Sequence, residues 1–194
     1  MNFLLLISRA IDALNLNINR AVIWLVLLST LVSAGNAVVR YALNTSSNAW
    51  LELQWFMFSG IFLLGAAYTL QKNGHVRVDV LYGRYPKRVQ ILVDLLGGLL
   101  FLIPMCIVII ITTLPWVSNS IRILEGSPNP GGLPWWPVKL LLPIAIFLLL
   151  LQGLSEIIKR IAMLTGHLEA TQYITEEEAE VAELKAMVKP EDEP

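Results

Sequence analysis

A run of apolar residues from Ala49 to Leu70, ending abruptly in a polar and basic segment, constrains this chain more than any other feature. About twenty apolar residues are enough for a helix to cross a hydrocarbon core of ~30 Å. The segment that follows carries Lys72, Arg77, Arg84, Lys87 and Arg88. Because Lys and Arg accumulate in cytoplasmic loops, this pattern predicts both a membrane helix and its orientation.

The same apolar pattern occurs four times, and only 15% of the residues are charged, against about 25% in a soluble domain. The predicted spans are residues 21–43, 49–70, 89–114 and 138–158. In lipid, backbone N–H and C=O groups must be paired internally, so each span is expected to be a helix. The sequence therefore predicts an all-α integral membrane protein, with a four-helix membrane domain over residues 21–164.

The basic residues outside the spans are distributed unevenly. One side holds eleven Lys and Arg residues, two in residues 1–20, five in 71–88 and four in 159–194. The two loops on the opposite side, 44–48 and 115–137, hold Arg122 alone. This bias predicts that both termini lie in the cytoplasm.

The two ends of the chain differ from the spans. Residues 1–20 have apolar side chains at helical spacing, which predicts a cytoplasmic amphipathic helix in the membrane interface. The alternative is a simple extension of the first span. Residues 165–194 are rich in glutamate and predict a flexible, acidic cytoplasmic tail. The first residues lack a basic segment, so a cleaved signal peptide is not expected.

Ionisable and polar residues near the outer ends of the first two spans are expected to join those helices. Arg40 and Glu52 are separated by a tight turn and should lie at similar depth, which predicts an ion pair or shared network. Hydrogen bonds between the helices are expected from Ser29, Ser33 and Asn36 of the first span with Gln54 and Ser59 of the second. A structural role is favoured over a proton or substrate site, because groups near the interface are partly solvated.

Charged residues also lie near the cytoplasmic ends of the last two spans. Asp94 is expected to pair with basic residues of the 71–88 loop. Glu156 is close to Lys159 and Arg160 at helical spacing, which predicts an intrahelical pair. The 115–137 connection is rich in proline and glycine, which predicts turns and no long helix.

Several protein classes are excluded by what the sequence lacks. Cys106 is the single cysteine, so no internal disulfide or cysteine-metal site is possible. The two histidines lie outside the spans, which excludes a haem-binding bundle. An enzyme would need a catalytic polar cluster in its loops, and a stand-alone four-helix transporter, acting as a homodimer, would need a carboxylate near mid-span. Neither feature is present, although the second class remains the main alternative.

Five segments together resemble one transporter family. They are Asn36 with Arg40-Tyr41, Glu52-Leu53-Gln54-Trp55, residues 64–70, residues 74–80 and residues 127–134. Over about residues 8–164 the chain resembles the small membrane subunit, DctQ-like, of tripartite ATP-independent periplasmic (TRAP) transporters. It is most similar to the branch associated with α-keto acids, mannitol or chloroaromatic compounds.

The resemblance implies a multi-pass protein of the bacterial inner membrane that works in a complex. A larger, DctM-like membrane subunit would carry the sodium and substrate sites and move as an elevator. A periplasmic binding protein would deliver an organic acid. The small subunit would be part of the static scaffold, with no cofactor of its own. Its expected partners are those two proteins and phospholipid, with no nucleic acid.

The resemblance carries over Arg40, Glu52, His75, Arg77 and Asp79 as structural or interface residues. Trp55 and Asp94 join them because of their positions in the spans, and the outward position of the 115–137 loop indicates the docking candidates. The expected structural or interface residues are Arg40, Glu52, Trp55, His75, Arg77, Asp79 and Asp94. The expected candidates for docking the binding protein are Arg122, Glu125, Trp135 and Trp136. None of these residues is expected to be catalytic.

Overall fold

The protein is described by a computed structural model that covers residues 1–45, 47–74 and 85–167. The helices are α1 (Asn2–Leu43), α2 (Asn48–Gln71), α3 (Lys87–Gly97), α4 (Ile103–Arg122) and α5 (Trp136–Leu164). A π-helical turn, Gly98–Leu102, joins α3 to α4 into one long helix. With that helix counted once, four helices are long and apolar enough to cross a membrane. The predicted all-α, four-helix membrane fold is confirmed.

Helix α5 lies at the centre of the bundle and contacts every other helix. It contributes eleven buried residues, and several of them are polar or charged. The other helices bury little of their apolar surface. Trp24 of α1 is 71% exposed, and Phe101 of the π-helical turn is 75% exposed. Such side chains are at no disadvantage next to lipid, because lipid tails are as apolar as they are.

Helix α1 is one continuous helix of 42 residues, so the predicted separation of an interfacial helix over residues 1–20 is wrong. No proline or glycine occurs before Gly35, so nothing in the sequence interrupts the helix. At 1.5 Å per residue it is about 63 Å long, roughly twice the thickness of a hydrocarbon core. Its first turns expose Phe3 and Leu6 and bury Ser8 and Asn15.

Helix α4 continues through Pro115 to Arg122, so the prediction of turns for residues 115–122 is wrong. A proline removes one backbone hydrogen bond of the helix. Membrane helices tolerate such a proline, because neighbouring groups and local adjustments of the helix can satisfy the freed backbone. Only residues 123–135, hereafter the 123–135 loop, form the connection to α5.

The π-helical turn sits where the long helix meets α5. It lies immediately before Pro104, which has no N–H to donate. At this level a Cβ atom on Gly153 of α5 would lie 2.8 Å from Cδ2 of Leu102. Gly153 therefore allows α5 to approach the turn closely.

Candidate functional site

Two polar clusters lie at opposite ends of the bundle, and both are centred on charged side chains buried between helices. The Glu52 cluster consists of Glu52 and residues of the 123–135 loop. The Lys159 cluster consists of polar side chains of α1 and α5. Buried charges are costly unless they are paired and hydrogen-bonded, so each cluster must be satisfied from within the fold.

The Glu52 cluster fixes the 123–135 loop onto the start of α2. The Glu52 side chain is 3% exposed. Its Oε1 accepts hydrogen bonds from Ser127 Oγ and, at 3.0 Å, from Asn129 Nδ2. Its Oε2 accepts one from the Leu133 N–H at 2.6 Å. Hydrogen bonds to an ionised acceptor are about twice as strong as neutral ones, so a single carboxylate can organise the loop.

Gly132 lets the loop close around this carboxylate. A Cβ atom at position 132 would lie 2.7 Å from Glu52 Oε2 and would also overlap the Ser127 side chain. The backbone at this point therefore has room only for a hydrogen. Asn48, the first residue of α2, adds a further tie by donating to the Pro130 carbonyl at 2.9 Å.

The predicted Arg40–Glu52 pair is wrong. In the part of the chain that the structure describes, the partners of Glu52 are in the 123–135 loop, and Arg40 is exposed. The two residues are close in sequence, but three donors from a distant loop occupy the carboxylate. Contacts between residues about 80 positions apart could not be predicted from local spacing.

An ion pair closes the base of the 123–135 loop. Lys139 Nζ lies 2.5 Å from Glu125 Oε2 and 4.4 Å from the centre of the Trp116 ring. The Trp135 N–H donates to the Glu125 carbonyl at 2.8 Å. The hydrogen bond from Lys139 holds the pKa of the Glu125 carboxyl below its ordinary value of 4.5. Ionised Glu125 thus ties the end of α4 to the start of α5.

We expect the Glu125–Lys139 pair to make stability depend on pH. Because the folded-state pKa of Glu125 is lowered, its stabilising effect is complete above pH 4.5 and is lost as pH falls through the lowered value. Wild type should therefore be more stable than Glu125→Gln at neutral pH, and the difference should vanish in acid. Thermal unfolding of both proteins across this range measures it. A difference that persists unchanged well below pH 4.5 would contradict the expectation.

The four docking candidates differ in accessibility. Arg122 is exposed and, among the described residues, its side chain donates only to Asn119, at 3.2 Å, one turn earlier in α4. Glu125, Trp135 and Trp136 are half-buried. Among them, Arg122 is the side chain best placed to contact another protein.

Trp135 and Trp55 help to hold the fold together at this end. The Trp135 ring meets the Trp55 ring edge-on at 5.9 Å, which joins the start of α5 to α2. Edge-to-face aromatic pairs contribute about 0.5–1.5 kcal/mol beyond their buried area. The contact with Trp135 is consistent with the structural role expected of Trp55.

Two apolar residues next to Arg122 were not anticipated from the sequence. Ile123 is 58% exposed and Leu124 is 70% exposed. Leu124 has φ +48°, a left-handed conformation at the position after a helix where glycine is usual. Backbone strain of this kind often accompanies functional residues. Sequence patterns could not reveal it, because the end of α4 was placed too early.

The Lys159 cluster joins α1 to α5. Lys159 is 3% exposed, and its Nζ lies 2.7 Å from Asp12 Oδ2 and 2.8 Å from Glu156 Oε1. The ammonium group is thus shared by two carboxylates from different helices. The predicted pairing of Glu156 with Lys159 and Arg160 is confirmed, the Arg160 contact being 3.9 Å.

Neutral side chains extend this cluster along both helices. Gln152 donates to Asp12 Oδ1 at 2.9 Å and accepts from Asn15 Nδ2 at 2.7 Å. The hydroxyl groups of Ser8 and Ser155 lie 2.7 Å apart. On α1 the positions 8, 12 and 15 follow a helical stripe, and so do positions 152, 155 and 159 on α5. That periodicity can be read from the sequence, but the spacing does not say that this face of α1 meets α5.

Arg160 connects the Lys159 cluster to the remaining helices. Its guanidinium lies 3.3 Å from Asp94 Oδ2 of α3 and donates to Asn73, just after α2, at 3.1 Å. Arg160 is thus a partner of Asp94 that the sequence analysis did not name. Residues 75–84 of the 71–88 loop, including His75, Arg77 and Asp79, lie outside the described residues. Within the described ranges, no group of three or more His, Cys, Asp or Glu residues could hold a metal ion.

Comparison with known proteins identifies the family of this chain. A model of the DctQ component of tripartite ATP-independent periplasmic transporters matches residues 20–163. The chain belongs to the DctQ family. This membership makes it a component of a TRAP transporter.

A curated relative points the same way. The chain is 28% identical, over 125 residues, to a candidate TRAP transporter small permease protein of Haemophilus influenzae. The match covers 64% of this chain and 71% of that protein. No solved structure gave a significant match. The DctQ-family chain is therefore a small TRAP permease component with a multi-pass membrane fold.

Proposed function

We propose that this chain is part of the static scaffold of a sodium-coupled secondary transporter that takes up an organic acid. In this role a large, DctM-like elevator subunit carries sodium and substrate, and a periplasmic binding protein delivers the acid. The observation that carries the proposal is the use of the buried charges. In the described residues they join the helices and the 123–135 loop of this chain to one another, and none of these charges is left open to a substrate.

The position of the two clusters supports a static role. The Lys159 cluster fixes α1, and through Arg160 also α2 and α3, to one end of α5. The Glu52 cluster and the Glu125–Lys139 pair fix α2 and α4 to the other end. Buried ion pairs and hydrogen bonds of this kind restrict the relative movement of the elements that they join. Such a bundle can hold its shape while a partner moves against it.

The exposed helix faces support a partner in the membrane. Within the most apolar windows of α1 and of the long helix Lys87–Arg122, only 6% of residues are buried, against 44% in α5. These faces provide apolar surface for the large subunit and for phospholipid. We place the protein in the bacterial inner membrane with both termini in the cytoplasm, on the strength of the charge bias. The 123–135 loop then faces the periplasm.

The substrate is expected to belong to the acids handled by the branch that the sequence resembles, such as an α-keto acid. Its selection would be a property of the partner proteins. The experiment that tests the proposal is purification of this chain from its native membrane in mild detergent, followed by mass spectrometry. A stoichiometric large subunit, and uptake by vesicles only when both subunits are present, are the expected results. A homodimer that transports alone would overturn the proposal.

Charge reversal at Arg122 tests the outward face of the proposed complex. Arg122→Glu should change the affinity of the periplasmic protein for the membrane complex, or the salt dependence of that affinity, because rim charges steer encounter. Glu125 is unsuitable for this purpose since it holds Lys139. Arg20→Glu, at an exposed position of α1 on the opposite side, is the matched control. Equal uptake by Arg122→Glu and wild type at all binding-protein concentrations would contradict a docking role.

A further inference from the structure

A polar groove opens on the side of the bundle near the turn between α1 and α2. Its volume is about 510 Å³. Five residues of α1, the residue that follows the helix and one residue of α2 line it: Ser33, Asn36, Ala37, Arg40, Tyr41, Asn44 and Gln54. The α1 positions recur at helical spacing, so they form a continuous stripe along one side of the helix, next to Gln54 of α2.

The lining of the groove suits an anion. Arg40 is its one charged residue, and the other polar side chains can all donate hydrogen bonds. Glu52 is two residues from Gln54 but is occupied by the 123–135 loop. Across the described residues, no ion pair or hydrogen bond is found for the Arg40 side chain. The expected hydrogen bonds of Ser33, Asn36 and Gln54 between the helices are likewise absent from the described ranges.

The depth of the groove suits the head group of a lipid. Arg40 lies three residues before the end of α1, about 4.5 Å along the helix axis. Arginine near the end of a membrane helix extends its charged group to the interface. The Tyr41 side chain is 91% exposed at the same level. Further along α1, towards the membrane centre, Val26 and Leu27 are about half exposed and offer apolar surface for acyl chains.

We propose that this groove binds the phosphate of a phospholipid from the leaflet at the α1–α2 turn. The Arg40 guanidinium would hold two phosphate oxygens, since its planar fork matches phosphate geometry. The amides of Asn36 and Gln54 would donate to the remaining oxygens. A lateral opening, a single uncompensated cation and adjacent apolar surface fit a lipid better than a soluble anion. The inference does not depend on the transport function.

Native mass spectrometry of the full-length, delipidated chain tests the proposal. The probe is phosphatidylethanolamine, titrated into wild type, Arg40→Gln and Arg122→Gln. Wild type should bind one lipid molecule that resists release, and Arg40→Gln should bind it at least about tenfold more weakly. Arg122→Gln, which removes an exposed arginine at the same end of the bundle, should behave as wild type. Equal lipid binding by wild type and Arg40→Gln would overturn the proposal.

Two further arms separate the lipid from other anions. Millimolar inorganic phosphate should leave the bound lipid in place, and displacement by phosphate would instead indicate a site for free anions. The complex purified with its membrane partner should retain the lipid. A complex without it, in which Arg40 cross-links to a partner carboxylate, would also overturn the proposal. Arg40→Lys keeps the positive charge but loses the planar guanidinium group, so it should bind the lipid with intermediate affinity. This conservative variant distinguishes loss of the binding site from misfolding of Arg40→Gln.

Discussion

Lys159→Met is expected to destabilise the fold by about 3–5 kcal/mol, the cost of breaking a buried ion pair by removing one partner. The substitution leaves the carboxylates of Asp12 and Glu156 buried without the ammonium group that both contact. The midpoint of thermal unfolding should fall by on the order of 10 °C. Cys106 provides the measurement, because it is the single thiol and is fully buried. A maleimide dye reacts with the Cys106 thiol once unfolding makes that thiol accessible, so the rise in labelling marks the unfolding midpoint.

Two variants make this prediction specific. Arg20→Met removes an exposed cation of α1 whose hydrogen bond to Asn17 is 3.4 Å long, and it should change stability by no more than about 0.5 kcal/mol. Adding Asp12→Asn and Glu156→Gln to Lys159→Met removes the stranded charges and should restore much of the lost stability. If Lys159→Met unfolds at the wild-type temperature, the Lys159 cluster does not hold α1 to α5.

Glu52→Ala is expected to release the 123–135 loop while the spans stay folded. The change removes the acceptor for Ser127, Asn129 and the Leu133 N–H. Hydrogen bonds to charged groups contribute about 1.5–3 kcal/mol each, so a local loss of about 3 kcal/mol is expected after rehydration of the loop. The amide hydrogen of Leu133 should then exchange roughly 100-fold faster.

The neighbouring residue Gln54 gives the control for this experiment. Gln54→Ala shortens a half-buried polar side chain of the same helix and should leave the exchange of Leu133 unchanged. Gly132→Ala should reproduce part of the Glu52→Ala effect, because its methyl group would displace the carboxylate from the loop. Wild-type exchange rates in Glu52→Ala would show that the carboxylate is not the anchor.

Local sequence signals were reliable where one helix supplied all the information. The spans around α2 and α5 were located closely, and the pairing of Glu156 with Lys159 was predicted from spacing within one turn. The same signals failed at Pro115, because a proline predicts a helix end in water but is tolerated within a membrane helix.

Partners of buried charges were the least predictable feature. Glu52 was assigned to Arg40, its neighbour across a turn, whereas the structure gives it to a loop some 80 residues later. Asp12 lies in the segment predicted to be an interfacial amphipathic helix, yet its side chain contacts Lys159, 147 residues away. An amphipathic pattern states which faces differ, but it does not state which face meets another helix.

The sequence by itself determined that this chain crosses a membrane four times as helices, because lipid leaves the backbone no other way to pair its N–H and C=O groups. Its motifs also pointed to the DctQ family. Only the tertiary structure decided which helix is central and which charges meet. Those choices depend on contacts between distant segments, and in lipid they come from packing and polar pairing rather than from hydrophobic burial.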